Sequence, residues 1–280
     1  MRPKPPSVSH DQRASEASRV ATAIARPVSA LASSYPAGAF IPPHHHARAQ
    51  LIFGVQGVMT VQAGEGLWVV PSSHALWVPA GVEHAIRMSG QVEMRTVYID
   101  QAQMQHAFEE CQVLFVSPLL RELILRAMHI PRLYDERGMD GRIMQLILDE
   151  VVLLRPQPLG LRMPRDARLL RLCERLLGNL SDSPSISQLG MEVGLSERSI
   201  IRLFPKETGM SLGRWQMQAR LMKAFELFDK GHSVTYVALE LGYSSPTAFT
   251  KMFRRWMGVA PTTMLAQGSG SQQVDASAFP

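Results

Sequence analysis

Cysteine is scarce in this chain: Cys111 and Cys173 are the only two among 280 residues. One lies in an apolar helical pattern and the other precedes a hydrophobic run, so both read as core thiols and not as a disulfide framework. Long apolar stretches are also missing. No run reaches the ~20 residues of a membrane span, and the Arg- and Ser-rich start has no apolar core of signal-peptide length. Charged residues make up only 19% and aromatics 7%. These shortages argue against a secreted, disulfide-stapled or membrane-spanning protein. They lead to the expectation of a soluble cytoplasmic chain with no membrane partner. What the sequence does have is 46% hydrophobic residues, enough for two cores at this length.

The sparse charge is unevenly placed. The net charge is +5, yet from Leu161 to Leu265 there are 15 Lys and Arg against 9 Asp and Glu, a balance of +6. Contact with a phosphate backbone requires such an excess. Taken alone, the same balance also describes a solvated basic surface.

Within that segment one pattern occurs twice. Ser185-Ile186-Ser187-Gln188-Leu189-Gly190, Gly194-Leu195-Ser196, Phe204 and Gly209 match Ser233-Val234-Thr235-Tyr236-Val237-Ala238, Gly242-Tyr243-Ser244, Phe253 and Gly258. The early positions are offset by 48 residues and the later ones by 49, so the second copy holds one extra residue after its glycine turn. Each copy predicts a capped helix, a tight turn and a second helix. Ser185 with Gln188 forms a capping box, Gly194 supplies a positive φ, and Pro246 follows the cap Ser245 at the first helical position. Gly190 and Ala238 fall where two helices approach closely. This is the layout of a helix-turn-helix, whose second helix enters the major groove.

Two copies in register carry the reading further. From Asp166 to Ala266 the chain resembles the DNA-binding domain of the arabinose-regulator (AraC/XylS) family of bacterial transcription factors. The block Gly242-Tyr243-Ser244-Ser245-Pro246 through Phe253-Arg254-Arg255-Trp256-Met257-Gly258-Val259-Ala260-Pro261 is close to that family's signature. The resemblance implies seven helices, with a long one at about Leu212–Phe228 holding two reading heads in successive major grooves. The predicted DNA-facing residues are Arg198, Ser199, Ile201, Arg202 and Lys206 in the first head, and Thr247, Ala248, Thr250 and Lys251 in the second. Arg202 and Lys251 each stand two residues before the motif Phe, matching family positions that commonly reach bases or phosphates.

From Val28 to Ile99 the pattern has a period near two, with frequent turn residues. Strands are predicted at Gln50–Val55, Val58–Ala63, Leu67–Val70, Ala75–Val78, Glu83–Met88 and Val92–Ile99, which argues for a small antiparallel barrel or jelly roll. The spacings Gly38, His44, His46, Gln50, Gly57 and then Pro79, Gly81, His84 resemble the two motifs of the cupin barrel, a fold often used as the sensor in this regulator family. In metal-binding cupins the corresponding positions are three His and a Glu. Here Gln50 stands in place of Glu, Met88 in place of a frequent Asn, and Ser73 in place of the opening Gly. His44 and His46, two apart on a strand, should share the inward face while His45 points away. Two readings stand: His44, His46, Gln50 and His84 hold a divalent transition metal, or they line an effector pocket without one. Trp68, Trp77, Phe53, Met59 and Tyr98 are either pocket walls or plain core.

Two amphipathic helices follow, one capped by Ser117 with Pro118 at its start and one from about Gly141. Their apolar faces either pack on the barrel or join a homodimer. The expected organisation is a disordered tail over 1–25, a cupin-like sensor over 26–100, a helical segment over 101–155, a linker over 156–164, a double helix-turn-helix domain over 165–266 and a flexible tail over 267–280. The class is α+β with two domains. The predicted function is a ligand-responsive, sequence-specific transcription regulator that binds promoter DNA and a small effector, and RNA polymerase if it activates. No catalytic residues are expected. The competing reading is a metal-dependent cupin enzyme fused to a DNA-binding module.

Overall fold

The computed structural model describes residues 23–104 and 108–269, with side chains to residue 265. All but the last three residues of the expected N-terminal tail, and residues 270–280 of the C-terminal one, lie outside them. The N-terminal half is a jelly-roll sandwich. Its strands are β1 (Val28–Tyr35), β2 (Phe40–His44), β3 (Ala49–Gln56), β4 (Met59–Ala63), β5 (Gly66–Val70), β6 (His74–Val78), β7 (His84–Met88), β8 (Val92–Ile99), β9 (Gln112–Phe115) and β10 (Gly160–Arg162). One antiparallel sheet has the order β1-β8-β3-β6-β9 and the other β10-β5-β4-β7-β2.

The first sheet is covered on both faces. Ile52, Leu76 and Val78 point into the sandwich and meet Val61, Ile86 and Met88 of the second sheet. Leu51, Phe53 and Trp77 point the other way. They are covered by helices α1 (Pro118–Ala127) and α2 (Met139–Val152), which present Leu120, Ile124, Ile147 and Val151. Double coverage is why β6 is buried at every position and why its sequence does not alternate. Phe53, Met59 and Trp77 are therefore core, and of the five aromatic and Met side chains with two readings only Tyr98 reaches the cavity described below. Both cysteines are buried and free, and burial pushes the Cys111 thiol up to about 12.

The C-terminal part has seven helices among the described residues: α3 (Ala167–Gly178), α4 (Ile186–Val193), α5 (Glu197–Thr208), α6 (Leu212–Asp229), α7 (Val234–Glu240), α8 (Pro246–Met257) and α9 (Pro261–Ser269). Helix α6 is the central strut. It buries ten side chains, Trp215 and Leu221 completely, on more than one face, because helices and sheet surround it.

Two expectations need correction. The stretch 156–164, expected as a linker, contributes strand β10, which pairs with β5 through Gly160↔Trp68 and Arg162↔Gly66. Pairing there satisfies backbone groups that the strut would otherwise bury unbonded. As a result the sandwich and the helical domain share one continuous apolar core. Helix α9 also continues through residues 267–269, three positions into the expected flexible tail. Arg165, just before α3, and Arg168 and Arg175 on it stay solvent-accessible while pairing with Glu65, Asp166 and Asp182.

Candidate functional site

Each reading head is built by local sequence. In the first, Ser185 and Gln188 cap each other's backbone across α4, and Gly194 closes the helix at φ 73°. A Cβ on Gly190 would lie 2.3 Å from the Leu195 carbonyl oxygen, so only glycine permits this approach of α4 to the turn. Ser196 then caps α5 by accepting from Ser199 N at 3.1 Å. In the second head Ser245 accepts from Ala248 N at 3.2 Å and Pro246 opens α8. Ile200 and Phe204 in α5, and Phe249, Met252 and Phe253 in α8, face inward and are buried.

The opposite faces hold the predicted DNA-facing residues. Arg198, Ile201, Arg202, Lys206, Thr247 and Lys251 are exposed, while Ser199, Ala248 and Thr250 are partly covered. The Ser199 hydroxyl lies 2.8 Å from the Ser196 hydroxyl, engaged with the cap. Ile201 is 57% exposed, an unusual position for a β-branched aliphatic. The side chains of Arg198, Arg202, Lys206, Lys251, Arg254 and Arg255 have no hydrogen bond or ion pair among the described residues. Arg168 and Arg175 of α3 have carboxylate partners; the cations of the heads are left for another partner.

The second constellation is a cavity of about 430 Å³ at one end of the sandwich. His44, His46, Gln50 and His84 all line it, and one ring nitrogen from each histidine falls within 4.8 Å of the others. The way they meet differs from expectation. β2 ends at His44, so His46 sits in the connection to β3 and strand alternation does not place it. His45 is exposed and lies at the rim instead of pointing away. His44 Nδ1 donates to the Pro42 carbonyl at 2.8 Å and His84 Nδ1 to the Val82 carbonyl at 3.0 Å. A carbonyl only accepts, so both rings carry their proton on Nδ1 and turn an Nε2 lone pair to the cavity. Burial, reinforced by its histidine neighbours, holds His46 down to about 4. Burial likewise holds His84 down to about 4, against the opposing pull of the Val82 carbonyl. Both rings are neutral near pH 7, the state a metal ligand needs. His84 Nε2 and Gln50 Oε1 are buried without a hydrogen-bond partner, so the donor set fits a cation. Glu83 is exposed at the mouth and does not belong to the cluster.

Sequence reasoning missed the link between the two sites. His44 and His84 lie on β2 and β7, one end of the second sheet, and β10 is at the other end, about 19 Å away at ~4.8 Å per strand. There the strut takes hold of β10. Trp215 Nε1 donates to the Arg162 carbonyl at 3.1 Å, and Gln218 Nε2 donates to the Gly160 carbonyl at 3.2 Å. Gly160 is obligatory, because a Cβ would lie 2.0 Å from the Trp68 ring. On the other sheet His74 is buried between Phe115 and Phe225 of the strut, and burial holds it down to about 3. The available signal was the pair Trp215 and Gln218, polar-tipped residues one turn apart in an apolar helix.

A family model described as an AraC-like ligand binding domain matches residues 27–197, and one described as a helix-turn-helix domain matches residues 189–267. The HTH-type transcriptional regulator NimR of Escherichia coli (strain K12) is 32% identical over 226 residues, covering 81% of this chain and 82% of its own. The HTH-type transcriptional regulator RipA of Corynebacterium glutamicum is 25% identical over 228 residues, covering 77% and 61%. Among solved structures, ToxT from Vibrio cholerae O395 aligns over 87% of this chain and 99% of its own at 10% identity, with a TM-score of 0.38. No helix among the described residues is long and apolar enough to cross a membrane.

Proposed function

This chain belongs to the AraC family of helix-turn-helix transcription regulators, and we propose from that premise that α5 and α8 enter successive major grooves of a promoter, with Arg202 and Lys251 at their centres. The sandwich is the ligand-binding domain and the helical part the DNA-binding domain. The observation that carries the residue-level reading is the set of unpaired cations on the exposed faces of both second helices. An Arg can hydrogen-bond guanine O6 and N7 together, a contact that discriminates by about 1–3 kcal/mol. Lys206, Arg254 and Arg255 suit phosphates, Ile201, Thr247, Ala248 and Thr250 offer methyls to thymine, and Arg198 sits at the N-terminal edge of the first head.

The effector binds in the histidine cavity. It alters DNA engagement only if its affinity differs between two arrangements of the molecule, and the second sheet joins the cavity to the strut through β10. The reading includes action in the cytoplasm, contact with RNA polymerase where the protein activates, and a homodimer through the α1–α2 layer. That layer leaves Leu119, Leu146 and Leu153 exposed.

The test is to recover genomic fragments retained by the purified protein, then titrate the recovered operator with Arg202→Ala and Lys251→Ala. Each variant should bind more weakly than wild type, and Arg202→Ala should also lose discrimination at one base pair. Wild-type binding by both overturns the assignment of the heads.

A further inference from the structure

The histidine cavity has a feature that the DNA-binding heads do not explain. Two buried lone pairs, on His84 Nε2 and Gln50 Oε1, have no donor. His84 is 2% and Gln50 4% exposed. Leaving such groups unsatisfied costs about 1–3 kcal/mol each, so a sequence that keeps both is arranged for a partner. That partner is electron-poor, because the clustered atoms are acceptors: the Nε2 of His44, whose Nδ1 is tied to Pro42, the Nε2 of His84, and the amide oxygen of Gln50. A ring nitrogen of His46 completes the cluster within 4.8 Å. Nitrogens on a tetrahedral ion at ~2.0–2.1 Å stand ~3.3–3.5 Å apart, so the rings need to close by no more than about 1.5 Å.

The charge of the set selects what is bound. Imidazole and amide ligands bring no negative charge, and no carboxylate belongs to the cluster. Such donors suit zinc, cobalt, nickel or copper better than magnesium, calcium or manganese. Within the cluster they leave the double charge of the ion unbalanced, beside apolar walls that include Leu31, Ile41, Ile52, Ile86 and Met94, with Glu83 as the one carboxylate at the mouth. An unbalanced charge in apolar surroundings draws an anion. There is room for one: the cavity is about 430 Å³, against the ~30 Å³ share of a single water.

We propose that this pocket takes its effector as a small organic anion held on a borderline divalent cation, the cation carried by His44, His46, His84 and the neutral amide oxygen of Gln50, and the apolar body of the anion lying against the aliphatic walls. This rests on the reading of the sandwich cavity as the effector site. Gln50 leaves the site with the ion's full double charge where a carboxylate would offset one unit of it, and so strengthens its draw on an anion.

The experiment uses the full chain, stripped with chelator and titrated with Co²⁺ while its visible d–d absorption is followed. Azide and acetate are then added as probe anions. Wild type should take up one Co²⁺ per chain with a gain in Tm, and azide and acetate should each shift the bands. His84→Ala should weaken Co²⁺ uptake at least ~10-fold, the loss that removing even an outer partner of a metal ligand causes. Half-buried His44→Ala is the second variant, should His84→Ala fail to fold. Gln50→Glu should tighten Co²⁺ binding and weaken the response to azide, since its carboxylate offsets one of the ion's two charges. No Co²⁺ absorption in wild type, or uptake unchanged in both His variants, overturns the cation site. A Co²⁺ spectrum indifferent to both anions overturns the anion. Operator binding by the metal-free protein is measured separately, so a failed cation site leaves the regulator reading standing.

Discussion

The two reading heads have one plan and two surroundings. The first stands against the sensor: Phe204 meets Trp215 edge-on at 6.0 Å, and Trp215 is bonded to β10. The second is built on its own aromatic cluster, in which Phe249 and Phe253 meet Phe225, Phe228 and Tyr243. Their turns differ as well. Gly194 ends α4 directly, whereas α7 ends at Leu241, and Gly242 then packs so close to Ser181 that a Cβ would lie 2.3 Å from its carbonyl oxygen. The extra residue of the second copy is absorbed there. Equal motifs therefore do not make equal modules. One head is coupled through Trp215 to β10 of the second sheet, and the other through Phe225 to His74 of the first.

The strongest test of this difference removes the motif aromatics. Phe204→Ala and Phe253→Ala should each cost about 3–5 kcal/mol, measured by urea unfolding. Phe204→Ala should also loosen β10, seen as faster amide exchange at residues 160–162, while Phe253→Ala should leave that exchange near wild type. Equal exchange in the two variants would erase the distinction.

His74 sharpens the comparison where the strut meets the first sheet. Its pKa lies at about 3 in the folded protein, below the ordinary 6.5. The unfolded chain therefore takes the proton first, so stability is complete above about 6.5 and falls as the pH drops toward 3. Between about pH 7 and pH 5 this group accounts for ~2 kcal/mol. Unfolding of His74→Leu at the two pH values should show a correspondingly smaller loss than wild type.

On the operator, Arg202→Ala should lose about 1–3 kcal/mol of discrimination. Lys251→Ala, with a single charge and no fork, should weaken all sequences more evenly and reduce the salt slope by ~1. Identical profiles would mean that the heads read DNA alike. The smallest effect is a control: Ser196→Ala and Ser245→Ala each remove one N-cap bond and should each cost about 1 kcal/mol in thermal unfolding, equally in both copies.

The legibility of the sandwich followed strand position. The six strands predicted from the sequence, β3 to β8, are the six interior strands of the two sheets. The four not predicted, β1, β2, β9 and β10, are the four edges. An interior strand is held by neighbours on both sides and needs its full apolar pattern. Three of the edge strands are short or contain breakers, as in the Pro42-Pro43 pair of β2, the four residues of β9 and the three of β10, and proline is tolerated only where no ladder bond is lost; β1, at eight residues, is the exception. The same division runs through the sites. His44, His46, Gln50 and His84 were identifiable from spacing, but the carbonyls of Pro42 and Val82 that set their tautomers were not.

By itself the sequence determined the local devices: both helix-turn-helix units, their serine caps, their glycine turns and their outward cations, because each depends on residues only a few positions apart. The tertiary structure alone decided which of those cations stay unpaired, how the histidines converge from a strand end, a loop and a second strand, and that a supposed linker pairs with β5 and binds the strut. Those outcomes depend on partners distant in the chain, which no local pattern encodes.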